Sequence, residues 1–320
     1  MRSSAASDVY KRQMAKRSQK ADGFLEEAGL PDTVGNMQAA LRLLDGETAL
    51  DTVLELARES QSEQDVVGQL ASETANAAVL ETAMDHVVPQ GVAASEASSE
   101  KETFAERRRD LTELTDGLKD VMEAIADGEE DEAALAEYCA GIDHFLENIL
   151  EKTKQRADIT YSEFQEIRAT RGLMRLQQGL RNNRSYAVPI QTADGVTQMN
   201  LTFREDEEQA GKVQVTIWQP YRISMEMQIS GGSLKGLVLC DDRAGYEKLK
   251  QQAGALQETL EQNVCPVKTI SYGMDFRAQN DYSAASENDN AVDTKALYQT
   301  AKVLVQYISE VVATENGGLQ

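Results

Sequence analysis

The chain has 320 residues and a formal net charge of −22 at pH 7, from 54 acidic against 32 basic side chains. So acidic a chain lacks the clustered Lys and Arg that a nucleic-acid backbone demands, which argues against DNA or RNA as partner. Hydrophobic residues make up 41% and aromatics only 5%, a balance that suits a largely helical protein with few aromatic anchors, and no run of eighteen apolar residues offers a membrane span.

Residues 1–13, MRSSAASDVYKRQ, resemble a translated sequencing-adapter remnant, and Met14-Ala15-Lys16-Arg17 would make an ordinary start. They are read as a non-native segment and left out of the fold, and they lack the apolar run of an export signal. Residues 14–185 read as a succession of helices. Pro31-Asp32-Thr33 is a helix-start signal, followed by Val34, Met37, Leu41 and Leu44 at helical spacing. Leu50, Val53, Leu54 and Ala57 resume the period after Asp45-Gly46, and Val66, Leu70, Ala77 and Leu80 form a further stripe. Residues 92–100 are rich in Ala, Ser and Glu and read as a linker. Leu111, Leu114, Leu118, Val121, Met122 and Ile125 make the next amphipathic helix, and Leu135, Tyr138, Ile142, Phe145, Leu146, Ile149 and Leu150 the strongest stripe. Thr160-Tyr161-Ser162-Glu163 has the capping-box pattern, and Phe164, Ile167, Leu173, Leu176 and Leu180 continue that helix. No fixed-period repeat is present, so an irregular bundle or helical pairs are expected.

From Tyr186 the period changes to two. Residues 186–190 and 196–203 read as strands joined by a turn at Ala193-Asp194-Gly195. The acidic run Glu205 to Glu208 reads as a solvated loop. Val213-Gln214-Val215-Thr216-Ile217 alternates apolar and polar, as do Ile223 to Ile229, and Gly231-Gly232 turns the chain into a third such run ending at Cys240. Tyr246, Leu249, Ala253, Leu256 and Leu260 predict one helix with a single apolar stripe, and 267–274 a closing strand. Residues 277–290 read as a loop, and Asp293 opens a last helix carrying Leu297, Ala301, Leu304, Val305, Ile308, Val311 and Val312. The expected fold class is α+β: a helical N-terminal region, then a mixed or antiparallel sheet covered by a helix, then a final helix. Residues 186–320 are read as a domain able to fold by itself.

The order of these elements resembles the C-terminal domain of flagellar hook-length control proteins. The resemblance rests on Leu201-Thr202-Phe203, the acidic stretch Arg204 to Glu208, and Gly211 placed two residues before Val213-Gln214-Val215, followed by the hairpin, the Leu-spaced helix and the closing strand. The family's Pro and following Leu-Gly in the turn are absent. The resemblance implies an export substrate and regulator of the flagellar type III secretion apparatus, made in the cytoplasm and passed out through the flagellum without a cleaved signal. Its C-terminal domain would contact the export-gate switch protein, and its N-terminal part would act as a length gauge. Gauges of that family are Gln/Pro-rich, whereas this N-terminal half is helix-patterned. The runner-up from another class is an acidic cytoplasmic chaperone or adaptor of a secretion system.

No motif for catalysis, a cofactor, a metal or a small-molecule substrate is evident: there is no Gly-rich phosphate loop, Gly-x-Ser-x-Gly, His-Glu-x-x-His or Cys-x-x-Cys. His86 and His144 lie far apart, and Asp241-Asp242 reads as a helix cap, with Asp242 before Arg243, in preference to a metal or acid pair. Cys139, Cys240 and Cys265 cannot form an even disulfide set and stand in apolar contexts, so buried free thiols in a reducing compartment are expected. Candidate partner-contact residues are Trp218 and Tyr221, which flank Pro220 between two strands, although a Trp there more often plugs the sheet's end, and Leu304 and Ile308 on a last helix that either detaches toward a partner or simply packs against the sheet.

Overall fold

A computed structural model describes residues 3–58, 117–157, 159–192, 195–206, 210–274 and 294–313. The predicted helix over 66–80, the linker at 92–100, Leu111 and Leu114, the tip of the turn at 193–194 and the loop at 277–290 lie outside them.

The described helices of the N-terminal part are α1 (Ser3–Glu27), α2 (Val34–Leu44), α3 (Ala49–Arg58), α4 (117–127), α5 (Ala133–Lys154) and α6 (Tyr161–Arg181). α1 runs unbroken through Gln13 and Met14, so the backbone gives no boundary where the sequence suggests one. Its buried stripe is Ala21, Phe24, Leu25 and Ala28, the three-and-four spacing of one helix face. On α2 the predicted stripe is displaced. Val34 is 78% exposed, and Ala39, Ala40 and Leu43 are the residues that turn fully inward, because small side chains let α2 lie close along α1 and α6. α5 buries all seven positions of its predicted stripe. The capping box at α6 is complete: Thr160 Oγ1 accepts from Glu163 N at 3.2 Å, and Thr160 N donates to Glu163 Oε2 at 2.6 Å.

Six strands then form one sheet in sequence order: β1 (Ser185–Thr192), β2 (Gly195–Asp206), β3 (Ala210–Ile217), β4 (Ile223–Ser230), β5 (Ser233–Cys240) and β6 (Val267–Gly273). The first five form an antiparallel meander. β6 returns parallel to β5 by a crossover through α7 (Arg243–Gln251) and α8 (Ala253–Asn263). Gly231 and Gly232, at φ +55 and +70, supply the left-handed pair that a two-residue hairpin needs. Of the acidic run, Glu205 and Asp206 belong to β2, paired with Gly211 and Ala210, and Glu207 and Glu208 lie outside the described residues. The β2–β3 pairing runs longer than the apolar alternation alone suggests, because backbone hydrogen bonds continue the ladder whatever the side chains. The predicted single helix over 246–260 is also two. Gln252 ends α7 and starts α8, with Gly254 weakening the first turn of α8, and the break lets α7 rest on β5 and α8 on β6.

The register sorts the sheet into two faces. Leu201, Val215, Met225 and Val238 stand opposite one another across β2 to β5, and Phe203, Val213 and Met227 form the next row. This apolar face is covered by α9 (Thr294–Ala313), which crosses β1, β3 and β4 and touches α7 and α8. Phe203 stacks on Tyr298 at 4.6 Å between ring centroids, and Tyr307 donates to the Leu249 carbonyl at 2.6 Å. Lys302–Glu123 and Lys295–Asp127 ion pairs hold α4 beside α9. A single hydrophobic core, from Ala21 to Val312, joins the N-terminal helices to the sheet. The architecture is α+β, with helices before, between and after the strands, and among the described residues no helix is long and apolar enough to cross a membrane.

Candidate functional site

The other face of the sheet is polar where β1, β2 and β3 meet, and there it floors a cleft. Cross-strand pairing places Ala187, Asn200 and Thr216 in one row and Ser185, Thr202 and Gln214 in the next. α1 lies over these rows, with Lys16, Lys20, Phe24 and Glu27 on one side of the helix and Arg17 beside them. The end of α2 contributes Leu43 and Leu44 as apolar wall, and α6 contributes Gln177 and Leu180. The cleft, open to solvent on one side, has a volume of about 330 Å³.

Trp218, just beyond β3, closes one end. The Arg222 guanidinium lies 4.2 Å from the ring centroid, a cation–π contact. Gly46 lies against the same indole so closely that a Cβ there would fall 2.5 Å from two ring carbons. Gly46 has φ +83, a conformation that glycine adopts without a steric penalty. Gln177 Nε2 and Trp218 Nε1 are buried without a hydrogen-bond partner, and Gln177 as a whole is only 7% exposed.

Charge in the cleft runs against the rest of the chain. Lys16, Arg17, Lys20 and Arg222 face two carboxylates, Asp45 and Glu27. Arg17 donates to Asp45. Burial pushes the Glu27 carboxyl above its ordinary range, opposed by Arg204 at 3.6 Å. Cations, carboxamides and an apolar wall around one cleft suit a small anionic group. Among the described residues no group of three or more His, Cys, Asp or Glu is placed to hold a metal ion.

The four residues expected to contact a partner do not form one surface. Trp218 is half-buried at the cleft. Tyr221 packs instead against Gly245 at the start of α7. Leu304 and Ile308 are fully buried between α9 and the sheet, so a docked α9 cannot offer them to a partner. Releasing it would expose Leu297, Tyr298, Leu304, Val305, Ile308, Val311 and Val312 together. At about 1.5–3 kcal/mol each, that cost is on the order of 10–20 kcal/mol, as large as the whole stability of an ordinary domain. The alternation that makes α9 amphipathic is the same for a docked and a detachable helix, so sequence spacing could not separate them.

Asp241 and Asp242 serve the backbone. Asp241 Oδ1 accepts from Arg222 N at 2.9 Å, and Asp242 caps α7 by accepting from Gly245 N at 2.8 Å. Cys139 and Cys240 are buried thiols outside any disulfide, with burial pushing them up to about 12 and about 11, and Cys265, also outside any disulfide, is half-buried. Sequence reasoning missed the cleft itself. Its one legible signal was Lys16, Arg17 and Lys20, three cations within five positions of an acidic chain.

Comparison with known proteins finds no protein-family model, no curated protein and no solved structure that matches this chain.

Proposed function

We propose that this chain is a non-enzymatic recognition protein of flagellar type III export, a hook-length control or substrate-specificity switch protein that binds the export gate through its C-terminal α+β part. The observation that supports the reading is the element order from β2 to β6: four meandering strands, a two-helix crossover and a returning strand at the sheet edge. That order agrees with the one implied by the resemblance at Leu201 to Met274. The edge itself suits a protein partner. β6 leaves Lys268, Thr269 and Ser271 exposed, whereas the opposite edge strand, β1, is flanked by α5 and α6. Among the described residues no strand pairs with the outer edge of β6, and such an edge can pair with an extended segment of another chain.

Deleting the gene in its host is expected to give overlong hooks, and the protein is expected outside the cell during hook growth and bound to the cytoplasmic part of the export gate in a pull-down. Hooks of normal length, with the protein confined to the cell, would overturn the reading. One feature favours the second reading, a cytoplasmic chaperone or adaptor of a secretion system. The described N-terminal helices share their core with the sheet, whereas a gauge exported as an extended chain works best when it is loosely folded. An adaptor would stay inside and co-purify with one client.

A further inference from the structure

The solvent face of α6 is composed unlike the rest of this acidic chain. Tyr161, Phe164, Arg168, Arg171, Arg175 and Gln178 recur at three and four residues, so they form one stripe along the helix. It runs about 26 Å, at 1.5 Å per residue. Tyr161 is 79% exposed and Phe164 37%, although rings gain from leaving water. The stripe holds three arginines and no carboxylate, in a chain with 54 acidic against 32 basic side chains. α6 contains no lysine. Aromatics and Arg with Lys and Glu depleted is the composition of a protein–protein contact, whereas a merely solvated helix face favours Lys and Glu.

The second, independent observation is which arginines are already used. Arg171 is held by two carboxylates of α5, Glu147 at 2.6 Å and Glu151 at 2.7 Å, and Arg181 by Asp143 at 2.5 Å. On the flank toward α2, Glu166 takes Arg42. Arg168 and Arg175 are exposed and make no ion pair or hydrogen bond among the described residues. α5 thus shows how an acidic helix laid beside α6 engages this arginine series, and two members stand unused one heptad apart. An open groove of about 510 Å³ between α5 and α6, with Ala140, His144, Met174 and Gln178 along it, adjoins Arg175 and leaves room for side chains from outside. A nucleic acid would also offer negative charge, but a chain of net −22 repels a polyanion as a whole. A helix with a few carboxylates among apolar residues meets both the arginines and the rings.

We propose that the exposed face of α6 is a docking surface for an acidic amphipathic helix of another protein. Two carboxylates one heptad apart on that helix take Arg168 and Arg175 in bidentate pairs. An apolar side chain a further heptad along packs on Tyr161 and Phe164. This face is separate from the β6 edge and does not rest on the export reading.

The test is fluorescence anisotropy of a labelled alanine-based helical peptide of about three heptads, titrated with the full chain. The peptide carries glutamate at two successive heptad positions and leucine at the next. Two controls are the same peptide with lysine for glutamate and an oligothymidylate of equal charge. The glutamate peptide is expected to saturate at one to one and to bind at least tenfold more tightly than either control. Arg168→Gln with Arg175→Gln should weaken it at least tenfold and flatten its salt dependence. Tyr161→Ser with Phe164→Ser should weaken it at least fivefold and leave the salt dependence unchanged. Both double variants replace exposed side chains, and circular dichroism checks that they fold. The proposal is overturned if the full chain does not saturate, whether nothing binds or residues 59–116 of this chain hold the face. It is equally overturned if the oligothymidylate binds as tightly (a general anion patch only), or if either folded double variant binds as the parent does. Self-association of the parent in sedimentation equilibrium, lost in the double arginine variant, would make a second copy the occupant and overturn it too.

Discussion

Trp218 shows how much one residue organises. It is the sole tryptophan, it holds Arg222 over its ring, and it demands a glycine at 46 in the turn between α2 and α3. Gly46→Ala is therefore expected to destabilise the protein by about 2–4 kcal/mol, combining a left-handed backbone penalty with overpacking against the indole. Urea unfolding followed by Trp218 emission would measure it, with a shifted native spectrum as the local sign. Asp51 tests electrostatics at the same scale. Burial of its carboxyl on α3 raises its pKa, with hydrogen bonds from Thr48 and Thr197 opposing. A raised carboxyl binds its proton more tightly folded than unfolded, so ionisation works against the fold above the ordinary carboxylate range. Asp51→Asn should stabilise the protein at pH 7, keep the acceptor for Thr197 (3.4 Å), and lose that advantage as pH falls through the range where Asp protonates. Thermal melts at pH 3 and pH 7 would show the crossover, and an equal gain at both values would refute it.

At the scale of elements, the caps and turns agree with their sequence signals because they are closed within four residues. Thr160 with Glu163, Asp242 before α7, and Gly231-Gly232 all find their partners locally. Errors arise where a neighbour decides. α2 turns its alanines inward since α1 and α6 lie close, and the helix over 246–260 divides at Gln252 because β5 and β6 each take one piece. α8 still provides a sharp test. Leu256 is 1% exposed over the sheet, and Leu256→Asp would add a buried charge to the cavity left by the leucine, more than the 2–5 kcal/mol typical of Leu→Ala alone. Loss of the cooperative transition in circular dichroism is expected. A variant that still unfolds cooperatively near the parent's midpoint would remove α8 from the core.

For the whole molecule the decisive feature is the shared core. Phe203 on β2 packs on Tyr298 of α9, Arg204 reaches Glu27 of α1, and Gly179 of α6 backs onto Ala28. A fragment of residues 186–320 would keep the strands but expose the flank of β1 and the polar face. Although the sequence reads as a self-sufficient domain there, the fragment is expected to lose cooperative unfolding, checked by thermal melts beside the full chain. A fragment melting as sharply as the whole would show that the N-terminal helices are accessory. By itself the sequence determined the fold class, nearly all element types and most buried stripes, because hydrophobic periodicity and local turn chemistry are written in neighbouring residues. Only the tertiary structure decided that α9 is core, that two halves share one interior and that a basic cleft forms under α1. Those outcomes depend on which faces meet across long separations, and the same amphipathic pattern serves a helix packed at home and one offered to a partner.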